Sequence, residues 1–160
     1  MSTRPARTPE GDAATDVVLA AFRLNGRLLA AGDLLSAQEG LTSARWQVLG
    51  AVALADRPLT VPQIARRMGL TRQSVQASVN RLRRDALIEA DANPDHRRSP
   101  LIRLSQLGRD THTALQRRQV RWVNELAAGL DVTDLATAAR VLDVLSDRLS
   151  ASAQSDEEEE

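Results

Sequence analysis

The 160-residue chain contains no cysteine and no lysine, and its aromatic side chains amount to two tryptophans and one phenylalanine. Without cysteine there can be no disulfide, no thiolate metal ligand and no thiol redox switch, which agrees with a reducing compartment. Without lysine every one of the 21 basic residues is an arginine. Any recognition surface must then be built from planar, forked donors suited to phosphates, carboxylates and guanines rather than from point charges. Also missing are an apolar stretch of signal-peptide length in "MSTRPARTPEGDAATD" and any run near the roughly 20 apolar residues of a membrane span. The expectation is a soluble, cytoplasmic protein with no membrane partner. At this length one ordinary domain with a real core is the default.

The formal net charge is zero, but the charge is not evenly spread. From Arg57 to Arg109 there are 11 arginines against four acids, Asp85, Glu89, Asp91 and Asp95, and the balancing acids include the terminal "DEEEE". A basic middle in a neutral chain is the footprint of a nucleic-acid-binding face. A solvated charged surface would look the same on charge alone.

Periodicity supplies the organisation. Residues 1–14, rich in Pro, Thr, Arg and Gly, read as a flexible tail. From Thr15 the apolar positions Val17, Val18, Ala21, Leu24, Leu28, Ala31, Leu34 and Leu35 recur at spacings of three and four, predicting an amphipathic helix capped by Thr15 or Asp16 and ending near Gly40. A second helix is predicted over about 42–54 with Trp46, Leu49, Val52 and Ala53 inward, stopped by "DRP" at 56–58. Thr60-Val61-Pro62-Gln63 satisfies a capping box for a short third helix, which Gly69 ends in the left-handed region, and Thr71 caps a fourth two residues later. That helix, Arg72 to Asp85, puts Val75, Val79 and Leu82 on one stripe. Gln73, Ala77, Asn80, Arg81 and Arg84 lie opposite, flanked by Ser74 and Gln76.

Two helices joined by a glycine-containing turn, the second polar and basic outward, fit a helix-turn-helix, although a surface helix of an all-α bundle would carry similar residues. The pattern then changes. "ALIEAD" at 86–91 and "LIRLS" at 101–105 alternate as strands around the loop "ANPDHRRSP", making a hairpin directly after the polar helix: the wing of a winged helix-turn-helix. Helical periodicity returns after Ser105. A final helix carries Leu135, Ala138, Leu142, Leu145 and Leu149 along a seam that needs an apolar partner. The fold class expected is mainly α with one small β-hairpin.

"LTVPQIARRMGLTRQSVQASVNRLRRDALI" and "NPDHRRSPLIRLSQLGR" together resemble the helix-turn-helix and the Asp-x-Arg wing of the MarR family of bacterial transcriptional regulators. The resemblance implies a winged helix-turn-helix lobe over 41–105 and a helical dimerisation region from 15–40 and 106–153; the charge run at the end makes 154–160 an acidic tail. It implies an obligate homodimer that binds a palindromic double-stranded DNA operator, commonly as a repressor. A small aromatic or anionic effector would sit in a cleft between the dimer base and the DNA-binding lobe.

By position, Gln73, Gln76 and Ala77 match residues that address base edges in the major groove, and Arg97 matches the wing arginine that enters the minor groove, oriented by Asp95. Chemistry agrees, since glutamine suits adenine, a methyl group suits thymine, and a narrow minor groove attracts arginine. Arg72, Ser74, Arg81, Arg84 and Arg98 are expected at phosphates, where they set register and salt dependence. A loop-tip ion pair of Asp95 and Arg97 would by itself contribute little to stability. The family's usual Gly-Leu after the recognition helix is Ala86-Leu87 here. Its Thr-x-x-Gly after the wing is Ser105-Gln106-Leu107-Gly108, and Ala90 stands where an arginine is common.

Other functions have less behind them. No nucleophile elbow, phosphate loop or His-Glu-x-x-His occurs, so no enzyme and no cofactor is expected. His96 and His112 lack acidic companions at helical spacing, so no metal site is expected. Asp131 and Asp134 fall at a helix start, where capping explains them. Phe22 and Trp46 read as core rather than as an effector pocket, and no set of polar side chains identifies a ligand. A helical module whose basic face binds an acidic protein partner is the alternative function. The "DEEEE" end reads as a solvating tail more readily than as a competitor for the basic face.

Overall fold

The computed structural model describes residues 6–158. The elements are α1 (Pro9–Ser36) followed by a 3-10 turn (Ala37–Glu39), α2 (Ser43–Ala53), α3 (Val61–Met68), α4 (Arg72–Arg84), β1 (Ile88–Asp91), β2 (Leu101–Leu104), α5 (Gln106–Ala127) and α6 (Val132–Glu158). They fall into two units, residues 1–119 and 120–160. No helix among the described residues is long and apolar enough to cross a membrane.

Both ends differ from the sequence expectation. The first helix starts at Pro9, six residues before Thr15, because Thr8 is the N-cap: its Oγ1 accepts from the Gly11 amide at 3.1 Å. Pro9 sits in the first turn, where its missing N–H costs nothing, and Glu10 and Asp12 complement the helix dipole. The carboxyl of Glu10 is held below its ordinary pKa by its backbone hydrogen bond and by Thr8. The stretch 1–14 is thus not all tail, and residues 1–5 lie outside the described part. At the other end α6 runs through 154–158, which contain neither glycine nor proline to stop it. Residues 159–160 lie outside the described part.

In the first unit the core forms where α2, α3 and α4 meet the hairpin and the start of α5. Leu49, Ile64, Val75, Leu82, Ile102 and Leu115 are all fully buried. The apolar stripe of α4 is the predicted one, Val75, Val79 and Leu82. Trp46 packs against this core, whereas Phe22 does not, being 71% exposed on α1. The expectation of a core phenylalanine fails in this chain, where the hydrogen bonds that tie α1 to the lobe gather at its C-terminal end. There Asp33 Oδ1 accepts from the Ser43 amide at 2.6 Å, and the Ser36 hydroxyl donates to the carbonyls of Gly32 and Leu41 at 2.7 and 3.0 Å. The remainder of α1 keeps Leu24, Leu28 and Leu34 exposed within the unit. Arg118 on α5 adds a second tie, pairing with Glu39 and donating to the Leu35 carbonyl at 3.1 Å.

The hairpin is antiparallel with Ile88 opposite Leu104, Glu89 opposite Arg103, Ala90 opposite Ile102 and Asp91 opposite Leu101. A third chain segment joins it, because Leu59 and Ile102 exchange backbone hydrogen bonds of 3.1 and 2.7 Å. One residue between Pro58 and Thr60 is too short for alternation to reveal.

In the second unit, the connection between α5 and α6 turns at Gly129, and the Asp131 carboxylate accepts from the Thr133 amide at 2.7 Å. The Thr133 amide and hydroxyl, and the Asp134 amide, hold the Asp131 carboxyl below its usual range. Leu135, Leu142 and Leu149 of the predicted seam are exposed on α6 within this unit.

Candidate nucleic-acid interface

The turn between α3 and α4 is closed from both sides. On α3 the Thr60 hydroxyl accepts from the Gln63 amide at 3.4 Å, while Gln63 Oε1 accepts from the Thr60 amide at 2.8 Å, which completes the reciprocal capping box. Gly69 follows with φ of +62°, a conformation that glycine adopts without the Cβ penalty. Its neighbour Leu70 then donates back to the Ala65 carbonyl at 3.0 Å. Thr71 begins α4 immediately by accepting from the Ser74 amide at 3.2 Å. Two helix ends within three residues fix the angle at which α4 leaves the turn.

Every residue expected at bases or phosphates on α4 is exposed: Arg72, Gln73, Ser74, Gln76, Ala77, Arg81 and Arg84. Their local bonding differs. Gln76 Nε2 donates to Asn80 Oδ1 at 2.9 Å, leaving Gln76 one N–H and its carbonyl oxygen, the donor and acceptor that an adenine edge requires. The single O–H of Ser74 is already donated to the Thr71 carbonyl at 3.0 Å, so a phosphate contact requires that hydroxyl to turn. Arg81 donates through Nε to Asp85 at 3.2 Å, which leaves both terminal nitrogens for another acceptor. Asp85 also takes Arg45 Nη1 at 3.3 Å, joining the start of α2 to the end of α4. Among the described residues Arg72, Arg84, Arg97 and Arg98 form no ion pair. Their charges are uncompensated on the exposed surface.

Sequence reasoning passed over Arg83. With Asn80 and Arg84 it lines an open depression on the last two turns of α4. The spacing of three and four from Asn80 was the available signal. Arg45 was also missed, because its connection to Asp85 spans 40 residues and has no local signature.

At the wing tip Asp95, Arg97 and Arg98 are exposed, as expected. The orienting pair is not made: no ion pair links Asp95 with Arg97 among the described residues. Instead Asn93 holds the loop, its Oδ1 accepting from the Asp95 amide at 3.1 Å and its Nδ2 donating to the Ser99 carbonyl at 2.8 Å. At the wing's base Arg103 bridges Asp91, 2.6 Å away, and Glu89 across the strands. These carboxylates raise its pKa further, chiefly through the Asp91 hydrogen bond.

The left-handed turn after α4 survives the loss of its usual glycine. Ala86 takes φ of +55°, and the Ala86 and Leu87 amides donate to the Arg83 and Leu82 carbonyls at 3.0 and 2.9 Å. Those two bonds make a Schellman cap, with Leu82 and Leu87 both buried beneath it.

A tightly turned helix pair whose second helix exposes amides and arginines, followed at once by a hairpin with an arginine-bearing tip, defines a winged helix-turn-helix DNA-binding protein. Residues 39–99 match the model of the MarR family. An uncharacterized protein of Mycobacterium tuberculosis is 47% identical over 110 residues, which cover 69% of this chain and 76% of that one. The chain belongs to the MarR family, whose members are DNA-binding transcriptional regulators and not enzymes. Among solved structures, CouR from Rhodococcus jostii RHA1 bound to p-coumaroyl-CoA superposes with a TM-score of 0.74 at 20% identity, covering 83% of this chain and 93% of CouR. The M. tuberculosis regulator MosR, in complex with DNA, gives 0.70 at 22% identity, covering 84% of this chain and 96% of MosR. At such identities these two establish the fold.

Proposed function

We propose that the protein is a cytoplasmic homodimer that represses transcription by occupying a two-fold-symmetric operator. In this reading α4 lies in the major groove with Gln73, Gln76 and Ala77 at base edges. Arg72, Ser74, Arg81, Arg84 and Arg98 hold phosphates. Arg97 enters the adjacent minor groove, with Asp95 closing on it as the wing docks. The observation that carries this is the two-sidedness of α4, whose apolar stripe is wholly buried while its polar side is exposed and carries Arg72 and Arg84, which form no ion pair among the described residues.

Dimerisation is supported by apolar surface that each unit leaves uncovered. Phe22 and Leu34 on α1 are 71% and 80% exposed, and Val132 and Leu149 on α6 are 79% and 72% exposed. Large apolar side chains repeated along a helix at this exposure mark an interaction face. A small aromatic or anionic effector is supported by the ligand that CouR holds. Fluorescence anisotropy with a duplex from the protein's own upstream region, against a scrambled duplex, tests the reading. It should reveal preference for a symmetric site whose half-sites lie about 10 bp apart or a multiple of that. Equal affinity for both duplexes removes the sequence-specific assignment.

A further inference from the structure

We propose that the cleft at the base of the wing is a binding site for a small monocarboxylate with an apolar body, lying wholly within the DNA-binding lobe. It is a different place from the cleft between dimer base and lobe that the family resemblance implies. The cleft measures about 280 Å³ and opens between the end of α2, the connection to α3, strand β2 and the first turn of α5. That is just under the roughly 300 Å³ at which pockets for drug-sized ligands begin, so it suits a single ring or a short branched chain. Val52, Pro58, Ile102 and Leu104 supply apolar wall.

The charge on the rim decides the ligand class. Arg103 contributes no free charge, because Glu89 and Asp91 pair with it and exceed it by one negative charge, although neither carboxylate lines the cleft. Arg109 is held by neutral acceptors only, donating to the Leu104 carbonyl at 2.9 Å and to Gln106 Oε1 at 2.8 and 3.3 Å. These bonds aim the guanidinium and use three of its five N–H donors, leaving two. Arg57 and Asp56 form no ion pair among the described residues. Of the charged residues that line the cleft, leaving aside the paired Arg103, Asp56, Arg57 and Arg109 together carry one net positive charge beside the apolar wall. A forked guanidinium recognises a carboxylate through paired hydrogen bonds, and the net charge matches one such group rather than a di- or trianion.

Occupancy would be felt by the wing. Ile102 lines the cleft and is also the residue hydrogen-bonded to Leu59, while Pro58, next to Leu59, lines the cleft as well. A ligand there touches both partners of the contact that sets the hairpin against the helices. By linkage, any change it makes in DNA affinity is matched by an equal effect of DNA on its own affinity. That coupling, though not the site, rests on the wing contacting DNA.

The test is a titration of the full-length 15N-labelled protein with benzoate, and separately with benzamide as the uncharged isostere, read by amide chemical shifts. Saturable shifts at Ala53, Arg57, Ile102 to Leu104 and Arg109, at least tenfold weaker affinity for benzamide, and about tenfold weaker benzoate binding in Arg57→Gln and in Arg109→Gln with spectra otherwise intact are expected. An equal response to benzamide, shifts confined to other segments, unchanged affinity in both variants or no saturable shift overturns the proposal. Operator affinity is measured on the same samples without benzoate. Loss of the carboxylate site with operator binding intact leaves the regulator reading standing, and the converse leaves the site standing. Weakened duplex binding in Arg57→Gln without any benzoate binding identifies the cleft as a seat for a DNA phosphate, against the proposal.

Discussion

The carbonyl oxygen of Leu87 occupies the space where a side chain on Gly108 would begin, so that a Cβ built on Gly108 falls 1.9 Å from it. The same carbonyl accepts from the Ser105 amide at 3.1 Å. Ser105 then ties the two segments together, its hydroxyl donating to the Ala86 carbonyl at 2.7 Å and accepting from the Gly108 amide at 2.9 Å. The end of α4 is thus docked onto the start of α5 through the Leu87 carbonyl and the Ser105 hydroxyl, and what faces Gly108 is backbone, with no flexible side chain to give way.

Gly108→Ala should therefore cost about 3 kcal/mol of stability, at the upper end of what overpacking does, because the obstacle is a backbone carbonyl. Urea unfolding of the variant against the parent protein measures it. A cost under about 0.5 kcal/mol would mean that α5 does not sit this close to Leu87.

Ala86→Gly should act in the opposite direction. An L-residue with a Cβ is strained at φ of +55°, by about 1 to 2 kcal/mol, and glycine removes that strain while adding freedom to the unfolded chain. The net expectation is a gain of about 0.5 to 1 kcal/mol in the same unfolding experiment, with the Schellman hydrogen bonds preserved. A loss would mean that the turn does not hold this conformation in solution.

If the wing docks as proposed, Arg97→Ala should weaken operator binding by about 1 to 3 kcal/mol and leave the fold intact, as expected of a groove contact. Asn93→Ala removes the two hydrogen bonds that hold the loop and should weaken operator binding by loosening the wing tip. Gln73→Ala should relax preference at one base pair of each half-site more than it lowers affinity for unrelated duplex. Uniform weakening across sequences by Gln73→Ala would move that residue to the phosphate contacts. Competition binding against a set of single-base operator variants separates these outcomes.

What could be read from the sequence was whatever is written locally. The capping box at Thr60, the left-handed Gly69, the stripe of Val75, Val79 and Leu82, and the hairpin around "ANPDHRRSP" all depend on residues within a few positions of one another. Contacts made across the chain were not legible: Leu59 with Ile102, Arg45 with Asp85, Arg118 with Glu39. The beginning of α1 was obscured differently, since Thr8, Pro9 and Gly11 read by composition as a tail, although Thr-Pro-Glu in that order is also a helix start. Phe22 shows the limit of reading burial from an amphipathic pattern. The periodicity marks an apolar face, but not whether this chain or another surface covers it.

His112, on α5, gives the stability a pH dependence whose sign is fixed by burial. Desolvation disfavours the imidazolium, so the folded-state pKa lies below the ordinary value of 6.5. Above the unfolded value both states hold a neutral ring and the residue contributes no pH dependence. As pH falls through the unfolded pKa the unfolded chain takes up the proton first, and the stability contributed by the half-buried neutral ring declines until the folded form is protonated as well. Other groups also contribute to the pH dependence of stability. The informative quantity is consequently the difference between the parent and His112→Gln, which cannot be protonated. Denaturant unfolding at pH 7.5 and pH 5.5 should show a smaller loss on acidification for the variant. An equal loss in both proteins would place His112 in solvent.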